Sequence, residues 1–474
     1  MRKSEKKWKS VWASKQLNLF TRAHNAPQQQ ATGGTGEATA EVMDLLSRLT
    51  EQHALTEQLL EQIVDYKNLK GSYEQVRRNE GSAGIDGMTV KGLEAWLQEH
   101  LEAFRWEVIN EQYEISPVKK VEIPKPNGGV RTLGIPTVKD RLLQQAIHQE
   151  MMGYYEPYFS ENSYGFRPGR SAHDAVVQAA KYVSEGREWV VDIDLEKFFD
   201  KINHDRLMTR LSKGIGDKRL LRLINGFLKA GMLSDGMTEQ RTAGTPQGGP
   251  LSPLLSNIVL DELDKELEKR GHKFCRYADD CNIYVHSQRA GERVMASVIE
   301  FIEKKLKLRV NREKSGVRHC GNVKFLGYTI LPEGNLRVSD KSTEHLKGKI
   351  REICQRNRGV KFEQVIAELN AAITGWTNYF RLANKWLSTM HQIDSWMRHK
   401  LRCYRLKQCG RKYTIFKMLC NLGIPERKSW NVVMYSQGWW AMSNRQSVNK
   451  GMNNQWFAQM GLRSVHTEMT RLKR

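Results

Sequence analysis

Two acidic stretches, far apart in the chain, carry the residue types that phosphoryl chemistry needs. Phe274-Cys-Arg-Tyr-Ala-Asp-Asp-Cys-Asn-Ile-Tyr-Val285 reads as two short strands joined by a tight turn, with Asp279 and Asp280 adjacent at its tip. In Trp189-Val-Val-Asp-Ile-Asp-Leu195, the apolar Val191, Ile193 and Leu195 alternate with Asp192 and Asp194, the period of a strand with one acidic face. A sheet that brings Asp194 beside Asp279 makes a hard-cation site from carboxylate oxygens, which suits Mg2+ bound partly through water and substrate phosphate. Two such ions clamp the attacking and leaving oxygens of a phosphoryl transfer. Asp192 and Asp194 point the same way, so both could face such a site. An Asp-Asp pair alone is weak, since surface turns often carry one; the apolar hairpin and the second acidic strand strengthen it.

The elements that must hold these groups follow in order. Residues 1–40 form a basic, then Pro/Gln/Gly/Thr-rich, flexible lead-in. Leu45, Leu46, Leu49, Leu59, Leu60 and Ile63 predict one or two amphipathic helices over 42–66, and Val90–Leu101 a further helix. Ile115–Ile135 reads as two basic strands around Pro126-Asn-Gly-Gly129, a hairpin turn by composition. Tyr164-Gly-Phe-Arg-Pro-Gly-Arg-Ser171 predicts an ordered loop before a helix over Ala172–Val183. Its Arg167 and Arg170 are candidate nucleic-acid contacts, with burial as structural arginines the alternative. Thr245-Pro-Gln-Gly-Gly-Pro250 breaks the chain before an apolar segment. There Gly248 and Gly249 remove bulk where nucleic acid could approach, and the amide of Gln247 could read a template or incoming base. Lys314 could neutralise phosphate or give a proton to departing pyrophosphate, or be an ordinary surface lysine. Beyond residue 335 the chain reads as mainly helical.

The bulk properties point to a polyanion. Of a net charge of +22, residues 336–474 hold +18, from 26 Lys/Arg against 8 Asp/Glu. Such a field favours nucleic acid and speeds its capture. No apolar run has transmembrane length and no signal-peptide core opens the chain, so a membrane partner is not expected. Seven cysteines without close pairing argue against a disulfide framework and suit a reducing cytoplasm. The spacing of Cys403, Cys409 and Cys420, with His399 nearby, matches no structural zinc pattern.

The ordered set Gly84-Ile-Asp-Gly87, Arg131-Thr-Leu-Gly-Ile-Pro-Thr137, Tyr164 to Ser171, Asp194 to Asp200, Gly244-Thr-Pro-Gln-Gly-Gly249, Tyr277-Ala-Asp-Asp280 and Phe325-Leu-Gly-Tyr328 resembles the reverse transcriptase/maturases of bacterial group II introns. The resemblance runs from about residue 60 to beyond 400. It implies an α+β right-hand polymerase fold with fingers and palm, then a helical thumb/maturase domain. By resemblance, the fingers hairpin closes Lys125 and Arg131 over the triphosphate. Phe199 lies five positions after Asp194, where the same step from Asp192 reaches Lys197, so the resemblance selects Asp194 with Asp279 as the ligands, Asp280 assisting and a backbone carbonyl near Leu195 as a further ligand. By the same resemblance Phe199 is the bulky residue that excludes a ribose 2′-hydroxyl, with core packing as its alternative beside Phe198. Phe325, Leu326, Gly327 and Tyr328 look like the primer grip.

Expected boundaries are 1–40 for the lead-in, 41–105 for an N-terminal extension, 106–335 for fingers and palm, 336–410 for thumb/maturase and 411–474 for a basic C-terminal region, possibly DNA-binding. No recognisable HNH endonuclease domain follows. The resemblance implies an RNA-directed DNA polymerase using two Mg2+ ions, deoxynucleoside triphosphates, an RNA template and a DNA primer. It also implies a maturase that binds its group II intron RNA for splicing and target DNA for retrohoming, in a cytoplasmic ribonucleoprotein associated with nucleoid DNA. A free-standing reverse transcriptase in defence or repair, and a non-enzymatic RNA-folding maturase, are the alternatives.

Overall fold

The computed structural model describes residues 58–124, 129–234, 237–239, 241, 243–385 and 387–472. Lys125, most of the expected turn at 126–129 and the helical reading over 42–57 lie outside them. Among the described residues ten strands are formed: β1 Val118–Pro124, β2 Val130–Ile135, β3 Trp189–Ile193, β4 Met232–Ser234, β5 Met237–Glu239, β6 Lys273–Tyr277, β7 Asp280–Val285, β8 Gly316–His319, β9 Tyr328–Ile330 and β10 Leu336–Val338. The chain divides into two compact units, with crossings after Glu161, Asp194, Glu266, Ile299 and Val310.

The first unit contains residues up to Glu161, Leu195–Glu266 and Glu300–Val310. Its sheet has the order β2-β1-β4-β5. β1 and β2 pair antiparallel with Ile123 opposite Arg131, and β1 pairs parallel with β4. Most of this hairpin is open to water, so its basic side chains keep their donors available. The helix Val138–Tyr155 follows β2. Its start is fixed by Thr137, whose hydroxyl accepts from Asp140 N at 3.2 Å while donating to the Asp140 carboxylate at 2.7 Å. Asp217 caps the helix Lys218–Lys229 and also accepts from Leu60 N, tying in the short helix Leu59–Ile63.

The second unit contains Asn162–Asp194, Leu267–Ile299 and residues from Asn311 onward. Its four-stranded sheet, β6-β7-β3-β8, is antiparallel throughout. The helix Ala172–Ser184 begins with a reciprocal capping box between Ser171 and Asp174. One buried cluster runs from Val190 and Tyr284 through Phe325 and Tyr328 to Val432, Phe457 and Met469. The region 411–472 is therefore a set of short helices that share this core. Hydrogen bonds reinforce it, among them those of Asp394, which accepts from Ser464 Oγ, Val465 N and His466 N at 2.6–3.1 Å. Among the described residues no helix is long and apolar enough to cross a membrane.

Candidate active site

The acidic strand and the acidic hairpin meet. β3 pairs with β7, setting Ile193 against Cys281 and Asp192 against Asn282. β6 pairs with β7 so that Tyr277 faces Asp280, leaving Ala278-Asp279 as a two-residue loop. In this register Asp192, Asp194 and Asp280 share one face of the sheet, since alternate residues of a strand and cross-strand partners point the same way. Burial, then the charges of Asp192, Asp279 and Asp194, push the Asp280 carboxyl up to about 7, against a smaller pull from Lys324. Burial also raises Asp192 to about 6, although Arg318 Nη1 lies 3.1 Å from its Oδ2. Asp192 is thus an ion-paired neighbour of the site.

Asp194 is held through its backbone. Its carbonyl accepts from Asn311 N at 2.8 Å, and its N–H donates to Ser315 Oγ at 2.9 Å. Lys314 Nζ stands 3.5 Å from Asp194 Oδ2 with much of its side chain exposed, which places this sequence candidate at the carboxylates. Leu195 is buried and bridges to Val310. The donor set is all carboxylate, and burial together with the neighbouring charges makes Asp280 resist ionisation, so a hard cation fits its chemistry. Among the described residues, no three His, Cys, Asp or Glu side chains are drawn together tightly enough to hold an ion by themselves.

The turn is braced from behind. Ala278 sits at φ 57°, in the left-handed region that a residue with a Cβ adopts at a cost. Arg276, fully buried, donates to Ala278 O at 2.9 Å and to Ser163 Oγ at 2.7 Å. Tyr164 N and Arg276 O, and Arg276 N and Asn162 O, add two backbone bonds at 2.9 Å. A Cβ on Gly165 would lie 2.3 Å from Ala278 N, so only glycine lets the loop lie flat against the turn. Arg167 is buried and donates to Ser163 O at 2.8 Å, the structural placement named above as its alternative. Arg170 is partly exposed, its guanidinium 5.7 Å from the Tyr164 ring. Sequence reasoning missed Arg276, Ser163, Ser315 and Arg318. The available signal was a cation inside an otherwise apolar strand.

Phe325 and Tyr328 are core residues, joined by reciprocal backbone bonds of 2.9 Å across a turn whose tip, Leu326-Gly327, has φ values of 48° and 85°. Only Leu326 and Gly327 are left partly exposed at that tip.

In the first unit, Arg131 Nε donates to Gln247 Oε1 at 2.8 Å, joining two candidates 116 residues apart. Gly134 N also donates to Gln247 O at 2.9 Å. The glycines beside Gln247 have protein neighbours: a Cβ on Gly248 would be 2.9 Å from Gly134 O, and one on Gly249 would be 2.3 Å from Gln144 Oε1. Gly249 is buried and Gly248 exposed. Of the adjacent aromatics, Phe198 is buried and Phe199 partly exposed, their rings edge-on at 5.3 Å.

A carboxylate-tipped hairpin in an antiparallel sheet is the palm of the RNA-directed DNA polymerases, and the chain matches that family model, "Reverse transcriptase (RNA-dependent DNA polymerase)", over residues 123–330. Residues 343–419 match the "Group II intron, maturase-specific domain". Protein YkfC of Escherichia coli (strain K12) is 33% identical over 298 residues, 54% of this chain and 78% of that protein. The group II intron-encoded protein LtrA of Lactococcus lactis subsp. cremoris is 29% identical over 346 residues, 59% of this chain and 56% of LtrA. The match thus spans about half of LtrA's length. A chain of the partial Cas6-RT-Cas1--Cas2 complex aligns at 26% identity and a TM-score of 0.34, covering 52% of this chain and 42% of that one. The chain belongs to the group II intron reverse transcriptase/maturase family. Its fold class is α+β, with the fingers and palm of a right-hand polymerase and a helical thumb/maturase region, and reverse transcriptase domains work with divalent metal ions.

Proposed function

We propose that this protein extends a DNA primer on an RNA template and also binds the intron RNA that encodes it, assisting its splicing and retrohoming. The observation that carries the reading is the shared acidic face of β3 and β7, where burial and then the neighbouring carboxylates push Asp280 up to about 7. Two Mg2+ ions, when bound by Asp194 and Asp279, would supply activation of the primer 3′-hydroxyl and charge stabilisation on the triphosphate. The Leu195 carbonyl is a further donor and Asp280 an assisting carboxylate. Lys314 stands where it can meet phosphate or protonate departing pyrophosphate. Arg131 has several donors for triphosphate oxygens and is oriented by Gln247. Phe199, partly exposed where Phe198 is buried, is the sugar gate. Arg170, Leu326 and Gly327 contact nucleic acid.

The charge of +18 on residues 336–474 supports binding of a large structured RNA through phosphates. Shape and exposed loops would supply specificity. Target DNA is the second polyanion for this surface.

Two assays on purified Asp279→Ala protein test the reading. Loss of a metal ligand removes several kcal/mol of transition-state stabilisation, so primer extension should fall by about a thousandfold or more. Splicing of RNA transcribed from the gene's own flanks should survive, because the splicing chemistry belongs to the RNA. Undiminished extension sinks the site assignment. Absence of splicing with either protein, despite tight RNA binding, favours a free-standing polymerase.

A further inference from the structure

The helix Val138–Tyr155 runs out into an aromatic series, Tyr154, Tyr155, Tyr158 and Phe159, that walls a cavity of about 360 Å3. Its other wall includes Arg210, Lys213, Gly214, Asp261 and Glu262, and no carboxylate of the polymerase site lines it. The Tyr155 hydroxyl is buried and makes no hydrogen bond, although a buried phenol normally finds a partner. It stands at the cavity wall, 3.3 Å from where a Cβ on Gly214 would be; the same Cβ would crowd Tyr154 at 3.3 Å. Gly214 therefore keeps the space open.

Charge selects the guest. Arg210 holds Asp261 at 2.8 Å and Glu262 at 2.7 Å, and Arg206 also bonds Glu262. Two guanidiniums thus match two carboxylates. Lys213 is left exposed, with no ion-pair partner among the described residues. An aromatic cage for a cation would need spare negative charge, and this one has spare positive charge. Flat aromatic walls, one unmet O–H donor and one ammonium instead suit a flat heterocycle with a carbonyl or ring-nitrogen acceptor and a single phosphate.

We propose that this cavity takes one nucleotide from an unpaired stretch of RNA. The base packs among Tyr154, Tyr155 and Tyr158, accepting from the Tyr155 hydroxyl, and its phosphate meets Lys213. Tyr158, 48% exposed, stands where a strand would enter. The site goes beyond the polymerase reading and rests on it only in naming RNA as the polymer.

The test is photo-crosslinking of the full chain to a single-stranded RNA carrying 4-thiouridine, with adducts mapped by mass spectrometry and primer extension run alongside. Adducts should fall on Tyr154, Tyr155 or Tyr158. Tyr155→Phe should cut their yield about threefold to tenfold, the worth of one hydrogen bond, and Lys213→Gln should cut it similarly. The melting temperature of Tyr155→Phe should match or exceed wild type, because the variant loses only an unmet donor. Excess free UMP should leave the yield unchanged; if it abolishes the adducts, the guest is a free nucleotide and the strand assignment fails. Unchanged yield in Tyr155→Phe overturns the site. Absence of pocket adducts with primer extension intact also overturns it, while leaving the polymerase reading standing.

Discussion

The hairpin that carries Asp279 and the hairpin that carries Arg131 are built on opposite principles. β7 is buried along nearly its whole length and β6 contains a fully buried arginine, so the acidic turn is over-determined by packing and hydrogen bonds. β1 and β2 are mostly exposed, and Arg131 has Gln247 as its side-chain partner in a setting open to water. Carboxylates that must gather around a cation need fixed positions, because small displacements cost large factors in rate. On the function proposed above, the fixed turn would serve the chemistry and the open hairpin the capture of a mobile triphosphate.

The largest effect should come from breaking the rigid side at its buried cation. Arg276→Met removes charged donors from Ala278 O and Ser163 Oγ, and should cost about 3 kcal/mol in urea unfolding. The matched Arg131→Met, on the open hairpin, should stay within about 0.5 kcal/mol. Equal losses would erase the contrast. Next comes Gly165→Val, whose Cβ would meet Ala278 N at 2.3 Å. We expect a drop of about a hundredfold in kcat for primer extension, with a much smaller change in the KM for nucleotide. Wild-type turnover would show that the turn does not need this support.

On the adaptable side, Arg131→Gln and Gln247→Ala should each raise the nucleotide KM about tenfold, in line with loss of a charge-assisted contact. Because the two side chains touch, the double variant should lose less than the product of the singles. Multiplicative losses would mean that they act separately.

The smallest effect is a pH slope. Asp280 at about 7 and Asp192 at about 6 lie above an unfolded carboxylate value of about 4. Between about 4 and 7 the folded protein therefore holds protons that the unfolded chain has released, so stability falls as pH rises through that window. Metal-free protein should lose melting temperature from pH 5 to pH 7.5 more steeply than Asp280→Asn does. Saturating Mg2+ should flatten the wild-type slope, since a bound cation favours the ionised form. A slope indifferent to both changes would contradict the crowded-carboxylate picture.

Much of this was legible in the chain. Period-2 alternation at 189–195 and the turn at 277–280 gave both catalytic strands to within two residues, because each is set by local pattern and by a tight hairpin. The basic hairpin and the helix Ala172–Ser184 were equally local. Composition located the basic C-terminal third, but not that residues 411–474 pack into the same core, since short helices with scattered Val, Phe and Met carry little periodic signal.

Partners remote in sequence were decided only by tertiary structure. Arg167 reads from its loop either as a nucleic-acid contact or as a buried structural arginine, and the fold buries it against Ser163 O. Gly248 and Gly249 suggested room for nucleic acid, and the space is taken by Gly134 and Gln144. The pairing of Arg131 with Gln247 and of Arg276 with Ser163 spans more than a hundred residues in each case. A sequence fixes which groups can donate, accept or ionise, and which short segments alternate or turn. Which donor reaches which acceptor depends on a packed interior, where an unpaired buried polar group is costly enough to force a choice.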